Sequence, residues 1–180
     1  GRTVHVIAGD GNNGADGRVA ARLLAARGVR VRVFDAAACP AVLPSAHLVI
    51  DAAYGTGFRG TWNPPDVGDT PVLAVDVPSG VNSLTGEAFG DVLAASRTVT
   101  FAALKPGLLL APGSELTGAL ELADIGLGAR AAAHAHAHLV QPLDVARWLP
   151  ARDALAHKWR EAVRLVAGSI GMTGAARLAA

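Results

Sequence analysis

The stretch VHVIAGDGNNGADGRVAARLL, residues 4–24, opens with a short apolar run that stops at Gly9. After its last glycine, apolar residues recur at helical spacing, so the stretch predicts a strand, a turn and a helix. Gly9, Gly11 and Gly14 fit the G-x-G-x-x-G pattern, in which a tight turn brings backbone N–H groups close to a phosphate at the helix N-terminus. The pattern indicates a nucleotide-binding turn. A purely structural strand-to-helix turn is the alternative, because such motifs also match by chance.

The residues around this turn keep two interpretations open. Asp35 ends the next predicted strand, twenty-one residues after Gly14, where a dinucleotide site has its ribose-binding acid. That spacing favours an ordinary NAD-dependent oxidoreductase. However, Asn12, Asn13 and Asp16 place two amides and a carboxylate where dehydrogenases usually have small apolar residues. Such groups can coordinate a ligand or take part in chemistry.

Composition places the chain among globular proteins of near-zero net charge. With 180 residues, of which 51% are hydrophobic, it can form one full domain, or one domain and the start of another. Its 16 basic and 15 acidic residues are scattered, which disfavours nucleic acid and membranes as partners. The single cysteine, Cys39, excludes an intramolecular disulfide and suits a reducing cytoplasm. No apolar run approaches the roughly 20 residues of a spanning helix, the start lacks a signal-peptide pattern, and the initial Gly1 indicates a fragment.

Further apolar runs predict a mostly parallel sheet. After the first strand, five more are predicted at residues 29–34, 48–51, 72–77, 97–101 and 120–123. The proline-containing connection after the second strand is too short for a full helix. Residues 55–71 are rich in glycine and proline and predict a long loop, and residues 91–95 predict a short helical turn. Strands that are apolar on both faces are typical of α/β proteins.

Polar residues fall at the carboxyl ends of these strands. In open α/β sheets, ligands bind in the crevice outside those ends, so separate segments are expected to converge on one site. Each residue also has a structural alternative, since asparagine, aspartate and serine cap helices and turns. Their shared position favours the site. The residues concerned are Asn12 and Asn13 after the first strand, Asp51 at the third, Asp76 and Ser79 at the fourth, and Lys105 after the fifth.

These side chains suit cation binding and proton transfer. Asn13, Asp51 and Ser79 are hard oxygen ligands, which favour an alkali or alkaline-earth cation over zinc. Asp76 ends an otherwise apolar strand, where a general acid or base is expected, and Lys105 can supply positive charge or a second proton-transfer group. The glycine-rich loop that begins at Gly55 can close over phosphates. No histidine accompanies a serine nucleophile, which disfavours hydrolysis by a catalytic triad.

Five sequence blocks occur in an order that resembles one known family. They are GDGNNGADG after the first strand, DAAYGTGFRG at the third, VLAVDVPSGVNSLTG at the fourth, TVTFAALKPGL at the fifth and LADIGLG at the sixth. The NAD(P)H-hydrate epimerase family has text close to GNNGGDG, DALFGTG, DIPSG, TFxxxKxGL and DIGI. The resemblance covers most of residues 4–128.

The resemblance implies an isomerase that interconverts the R and S epimers of hydrated NADH and NADPH in nicotinamide nucleotide repair. It implies that Asn13, Asp51 and Ser79 bind potassium, and that Asp76 and Lys105 move protons at the epimerising carbon. The residues implied to contact the hydrated dinucleotide are Asp76, Asn12, Asn13, Gly14, Ala15, Asp16, Gly55, Thr56, Gly57, Phe58, Arg59, Gly60 and Thr61.

Two departures from the family pattern bear on this assignment. Ala15 replaces the second glycine of the usual NNGGD block, which is harmless in a helix and damaging where a positive φ is required. The connections around the third strand are shorter than in many members, which puts the covering helices in doubt.

From residue 129 the composition changes to an alanine-rich, proline-punctuated connector. His134, His136 and His138 alternate within it, but a surface linker tolerates histidines freely, so a metal clamp is disfavoured. Residues 165–167 predict a strand, followed by a glycine-rich turn and a helix-like AARLAA. The text HK, then RLVAGSIGMTGAARLAA, resembles the opening of the ADP-dependent NAD(P)H-hydrate dehydratase domain, which has a ribokinase-like fold.

We therefore predict a Rossmann-like α/β domain with helices on both faces at residues 1–128, a linker at 129–156 and a truncated dehydratase domain at 157–180. The predicted function is the epimerase half of a bifunctional cytoplasmic repair enzyme. Its cofactors would be potassium and, for the dehydratase half, ADP or ATP. Hydrated NADH or NADPH is the predicted partner, and assembly into a homo-oligomer is left open. The alternatives are an NAD-dependent oxidoreductase and a non-catalytic nucleotide-binding module.

Overall fold

The computed structural model describes residues 1–149 and 165–179, which form two compact units, residues 1–135 and 136–180. The first unit contains a six-stranded sheet. Its strands are β1 (Thr3–Ala8), β2 (Arg30–Asp35), β3 (Leu48–Ala52), β4 (Val72–Val75), β5 (Arg97–Phe101) and β6 (Ala119–Ala123), and its helices are α1 (Asn12–Ala26), α2 (Gly113–Thr117) and α3 (Gly128–Ala133). Short 3-10 turns follow β2 at Ala36–Ala38 and β5 at Pro106–Leu108.

All neighbouring strands are parallel, in the order β2-β1-β3-β4-β5-β6. The chain adds β2 on one side of β1 and then returns to place β3 on the other side. The direction of strand addition therefore reverses between β1 and β3, and this switch point is where open α/β sheets bind ligands. The predicted parallel α/β sheet is confirmed.

The two faces of the sheet are covered differently. On one face α1 packs through Ala21 against a cluster that includes Val6 and Ile50. On the other face the cluster consists of strand and loop residues, with Trp62 and Leu93 supplied by the connections around β4. The helices expected on this second face are replaced there by loops, because the connections are short and contain proline and glycine, which do not sustain helices.

Four predicted elements differ from the structure. α1 begins at Asn12, inside the segment predicted as a turn, because its glycines let the first helical turns pack closely on the sheet. β4 ends at Val75, since the next residue has a left-handed backbone that cannot continue a strand. Residues 91–95 form no helical turn. Residues 165–167 form no strand, and Val166 is 91% exposed, since no strand among the described residues pairs with this segment to bury it.

Among its described residues, the second unit contains two short helices, α4 (Pro142–Trp148) and α5 (Gly174–Ala179). Gln141 and Asp144 form a capping box at the start of α4, and Asp144 Oδ2 also lies 2.9 Å from His138 Nε2. The predicted linker therefore contains α4, and the helix-like end of the sequence is confirmed as α5. The HK text at residues 157–158 lies outside the described residues. Within the described ranges, no helix is both long and apolar enough to cross a lipid bilayer.

Candidate functional site

The glycine turn is packed backbone against backbone. A Cβ added to Gly9 would lie 2.0 Å from the Ala53 carbonyl oxygen, and one added to Gly14 would lie 1.7 Å from the Gly9 carbonyl oxygen. Gly9 therefore allows the turn to approach the residue after β3, and Gly14 allows the start of α1 to approach Gly9, at the switch point. Arg18 also donates a 2.7 Å hydrogen bond to the Gly9 carbonyl. Ala15 is helical with an ordinary φ, so its replacement of the family glycine is harmless.

A cavity of about 690 Å³ opens at this carboxyl edge of the sheet. The first N–H groups of α1 border it, and the residue before the helix, Gly11, provides no side-chain cap. Uncapped N–H groups at the start of a long helix favour an anionic group. The cavity is lined by Gly11, Asn12, Asn13, Asp16, Ala53, Tyr54, Gly55, Thr56, Gly57, Phe58, Arg59, Asp76 and Phe101.

Three oxygen-bearing side chains are linked through hydrogen bonds at one wall of this cavity. Asp51 Oδ1 accepts a 2.6 Å hydrogen bond from Ser79 Oγ, and Asp51 Oδ2 accepts one of 2.8 Å from the Ser79 backbone N–H. The Tyr54 N–H donates to Ser79 Oγ at 2.8 Å, and Asn13 Nδ2 donates to the Tyr54 carbonyl at 2.9 Å. The Tyr54 backbone therefore joins the three residues predicted from sequence to bind a cation.

Asp51 is completely buried. Burial raises the pKa of the Asp51 carboxyl above its ordinary value, while hydrogen bonds from Ser79 and Ala53 act in the opposite direction. Among the described residues, no basic side chain forms an ion pair with this carboxylate. When it is ionised, a buried carboxylate held only by neutral donors has a charge that a monovalent cation would balance.

A second polar cluster borders the cavity at the ends of β4 and β5. Asp76 Oδ1 accepts hydrogen bonds from Lys105 Nζ at 2.5 Å, Thr100 Oγ1 at 3.2 Å and the Phe101 N–H at 3.3 Å. Lys105 Nζ also donates to Thr100 Oγ1 at 2.7 Å and to the Phe101 carbonyl at 2.8 Å. The side chains of Asp76 and Lys105 are only 17% and 18% exposed. The ion pair is therefore largely shielded from water.

The backbone of Asp76 is strained. Its φ is +69°, and the Val77 N–H donates to the Val75 carbonyl at 2.9 Å, which makes Asp76 the centre of a γ-turn. Ala102, on the adjacent strand end, has a φ of +64° and is the centre of a second such turn. Left-handed conformations are costly for residues with a Cβ and often occur where a side chain must be aimed at a site.

The structure brings most of the residues predicted from sequence to one edge. Asp51 and Ser79 contact the backbone of the cavity wall, and Lys105 contacts Asp76. Asp35 instead accepts a hydrogen bond from the Ala37 N–H and does not line the cavity. Four other residues predicted to contact the dinucleotide do not line the cavity either. They are Gly14, Ala15, Gly60 and Thr61.

Sequence reasoning missed three contributors to this edge. Tyr54 acts through its main chain, and Arg18 lies one helical turn beyond the motif, so neither gives a compositional signal. Thr100 is fully buried and contacts both members of the ion pair. Its position within the TVTF block was the one signal that could have identified it.

The fold and this edge define a class of protein: a parallel α/β domain with a glycine turn, a polar cavity at the switch point and a buried carboxylate behind it. The family profile described as YjeF-related protein N-terminus matches residues 1–44 and 35–107. The two matches meet in the short connection between β2 and β3. The chain belongs to this family, which includes the NAD(P)H-hydrate epimerases.

The chain is similar to relatives that are named as epimerases and to relatives that are named as bifunctional enzymes. The NAD(P)H-hydrate epimerase of Levilactobacillus brevis is 33% identical over 159 residues, covering 71% of this chain and 74% of that protein. The bifunctional NAD(P)H-hydrate repair enzymes Nnr of Moorella thermoacetica and Escherichia coli are 37% and 34% identical, covering 99% and 97% of this chain. The chain spans only 42% of the length of each of these two bifunctional relatives. The crystal structure of yeast ynu0 covers 59% of this chain at 24% identity and a TM-score of 0.47.

Proposed function

We propose that residues 1–128 interconvert the R and S epimers of hydrated NADH and NADPH. The observation that carries this proposal is the position of Asp76, a shielded carboxylate that lines the cavity, in whose wall Ala53 donates its N–H to the buried Asp51 carboxylate. The epimerase relatives named above support the same reaction. An epimerisation leaves no net change of atoms, so a proton taken up during the reaction must also be returned. A carboxylate at the edge of a partly shielded cavity suits this task.

We propose potassium as the resident cation, held by Asn13, Asp51 and Ser79. The fit rests on the donor set, which combines an amide, a carboxylate and a hydroxyl with only one formal negative charge. This charge is too small for tight divalent binding, and the absence of sulfur disfavours zinc. When bound, the cation would supply positive charge close to the cavity wall. A shift of Ser79 or Asn13 on cation binding would also move the cavity wall, because the Tyr54 backbone contacts both residues.

The remaining groups would bind and orient the dinucleotide. The uncapped N–H groups at the start of α1 suit a phosphate, and Asn12 and Asp16 on the same helix suit the ribose hydroxyls. Arg59 lines the cavity from the loop that begins at Gly55, and its guanidinium donates to the Phe58 carbonyl at 2.7 Å. Four further contacts of the bound dinucleotide are proposed because they adjoin the start of α1 or the loop that begins at Gly55. They are Gly14, Ala15, Gly60 and Thr61.

We propose that the second unit begins the ADP-dependent dehydratase domain of a bifunctional enzyme, with a linker at residues 129–156 and the domain from residue 157. The support is the similarity of the chain along its full length to the bifunctional relatives. ADP or ATP would bind to that domain. The single cysteine supports a reducing cytoplasmic setting.

The test is to incubate each purified epimer of hydrated NADH with the protein and to follow its conversion by chiral chromatography. We expect both epimers to reach the same mixture, faster with potassium than with choline. Asp76→Asn should retain dinucleotide affinity and lose about 10²- to 10⁴-fold in rate, the range of general acid–base catalysis. Asp69→Asn is the matched control, since Asp69 is exposed and precedes β4 at the opposite edge of the sheet. No conversion above the protein-free blank would refute the proposal.

The oxidoreductase interpretation is disfavoured by the position of Asp35, which caps a 3-10 turn. Incubation with NAD and a panel of alcohols and hydroxy acids should therefore produce no reduced nicotinamide. Robust NAD reduction would reverse this assignment.

A further inference from the structure

The Lys105 ammonium group has a protein acceptor for each of its hydrogens. Its three acceptors are Asp76 Oδ1, Thr100 Oγ1 and the Phe101 carbonyl, at 2.5, 2.7 and 2.8 Å. A lysine ammonium has three donors and no acceptor, so these contacts use its full hydrogen-bonding capacity. Lys105 is also not among the residues that line the cavity. Its geometry is that of a fixed counter-ion behind Asp76.

The two oxygens of Asp76 have different surroundings. Oδ1 accepts from Lys105 Nζ, Thr100 Oγ1 and the Phe101 N–H, whereas no described residue donates a hydrogen bond to Oδ2. The Thr100 hydroxyl accepts from Lys105, which leaves its single hydrogen available for Asp76 Oδ1. Thr100 is completely buried, so water does not compete for this hydrogen bond.

We propose that Thr100 and Lys105 are positioning residues that hold Asp76 Oδ1, so that Oδ2 is the oxygen that takes up and returns the proton. This inference rests on the proposed function and specifies which atom carries it out. Three donors on one oxygen fix the rotation of the carboxylate and leave the other oxygen available to the substrate. A bond between hydrogen and the substrate breaks as the proton bonds to Oδ2, and its electron pair stays on the substrate. The Oδ2–H bond then breaks as the proton returns, once the reacting centre has presented its other face, so no oxidant, reductant or other reactant is needed.

The backbone at both strand ends supports this arrangement. The γ-turn at Asp76 takes its side chain out of the β4 direction, and the Asp76 N–H donates to the β5 carbonyl of Val99 at 2.7 Å. The turn at Ala102 lies between Phe101, which contacts Asp76 through its N–H, and Lys105. The strained backbone therefore brings the carboxylate and its donors together, which is the arrangement expected of a constrained functional group.

The test is to replace Thr100 by valine, which keeps its shape and removes the hydroxyl. We expect Thr100→Val to lower kcat by about 10- to 100-fold, the range for losing a hydrogen bond to a charged group, with KM unchanged. Thr100→Ser retains the hydroxyl and should restore most of the rate. Thr98→Val is the matched control, because Thr98 is equally buried on the same strand and donates only to the Thr117 carbonyl at 2.7 Å. It should reduce stability and leave kcat unchanged.

A double-mutant cycle with Asp76→Asn separates positioning from a general structural effect. If Thr100 acts through the Asp76 carboxylate, Thr100→Val should have no further effect on kcat once residue 76 is asparagine. Multiplicative losses, or equal losses in Thr100→Val and Thr98→Val, would overturn the inference. If Thr100→Val does not fold, Lys105→Met provides the same cycle with the same two outcomes. An inactive wild type refutes the proposed function, whereas an active wild type with an unaffected Thr100→Val refutes only this inference.

Discussion

Asp51→Asn should remove the stabilisation of this protein by potassium. The change keeps the shape of the side chain and removes the buried charge. It also replaces one acceptor oxygen by an NH₂ group, which leaves either the Ser79 or the Ala53 N–H without its present partner. An unpaired buried N–H costs about 1–3 kcal/mol, so the variant should be less stable than wild type and still fold.

The effect of potassium follows from ligand linkage. A cation present at about 100 times its dissociation constant stabilises the native state by about 2.7 kcal/mol, which raises the Tm of a chain of this length by about 5–10 °C. The assay is thermal unfolding in potassium, sodium and choline chloride at equal ionic strength. Wild type should show the increase in potassium, and Asp51→Asn should show none.

The pH dependence has a defined sign. Because burial raises the pKa of Asp51 above 3.8, the folded protein binds this proton more tightly than the unfolded chain. The stability that this group contributes is fully present below pH 3.8 and is lost as the pH rises through the raised folded pKa. A bound cation offsets that loss, so the Tm difference between potassium and choline should grow with pH. Equal wild-type Tm values in potassium and choline across the pH range would refute the reasoning.

Three further predictions concern stability. Burial and the nearby arginine lower the pKa of His5, so the free energy of unfolding should fall as the pH drops below about 6.5, and His5→Leu should flatten this dependence. Ala102→Gly should stabilise the protein by about 1 kcal/mol because its φ is left-handed, whereas Ala103→Gly should destabilise it. Gly14→Ala should prevent stable folding because its Cβ would meet a carbonyl oxygen at 1.7 Å, whereas Gly11→Ala, with no heavy atom within 4 Å, should change stability by less than about 1 kcal/mol.

Chemical denaturation at several pH values measures all three. A wild type whose stability is constant from about pH 7.5 to 5.5 would contradict the histidine prediction. Equal effects of glycine at the two alanine positions would show that the left-handed turn is not strained. A Gly14→Ala protein as stable as Gly11→Ala would show that the start of α1 and the Gly9 backbone are not in close contact.

The sequence by itself determined the strands and the edge at which the polar residues lie. Apolar runs predicted all six strands to within a few residues, and the signal is strongest for the central strands of the parallel sheet, which are buried on both faces. The same apolar runs assigned three polar residues to the carboxyl ends of strands, because each ends or follows such a run. They are Asp51, Asp76 and Ser79. The sequence blocks then identified the family, which the comparisons confirm.

Only the tertiary structure decided which atoms meet at that edge. Ser79 and Asp51 are 28 residues apart, and Lys105 and Asp76 are 29 apart, so no local pattern encodes these hydrogen bonds. The hydrogen bonds that join Tyr54 to Ser79 and Asn13 are made by its backbone, whose N–H and C=O groups occur in every residue except proline. The strand order places the glycine turn beside β3, and the short connections cover the second face with loops. These features depend on long-range packing, whereas a strand or helix pattern depends on residues that are neighbours in the chain.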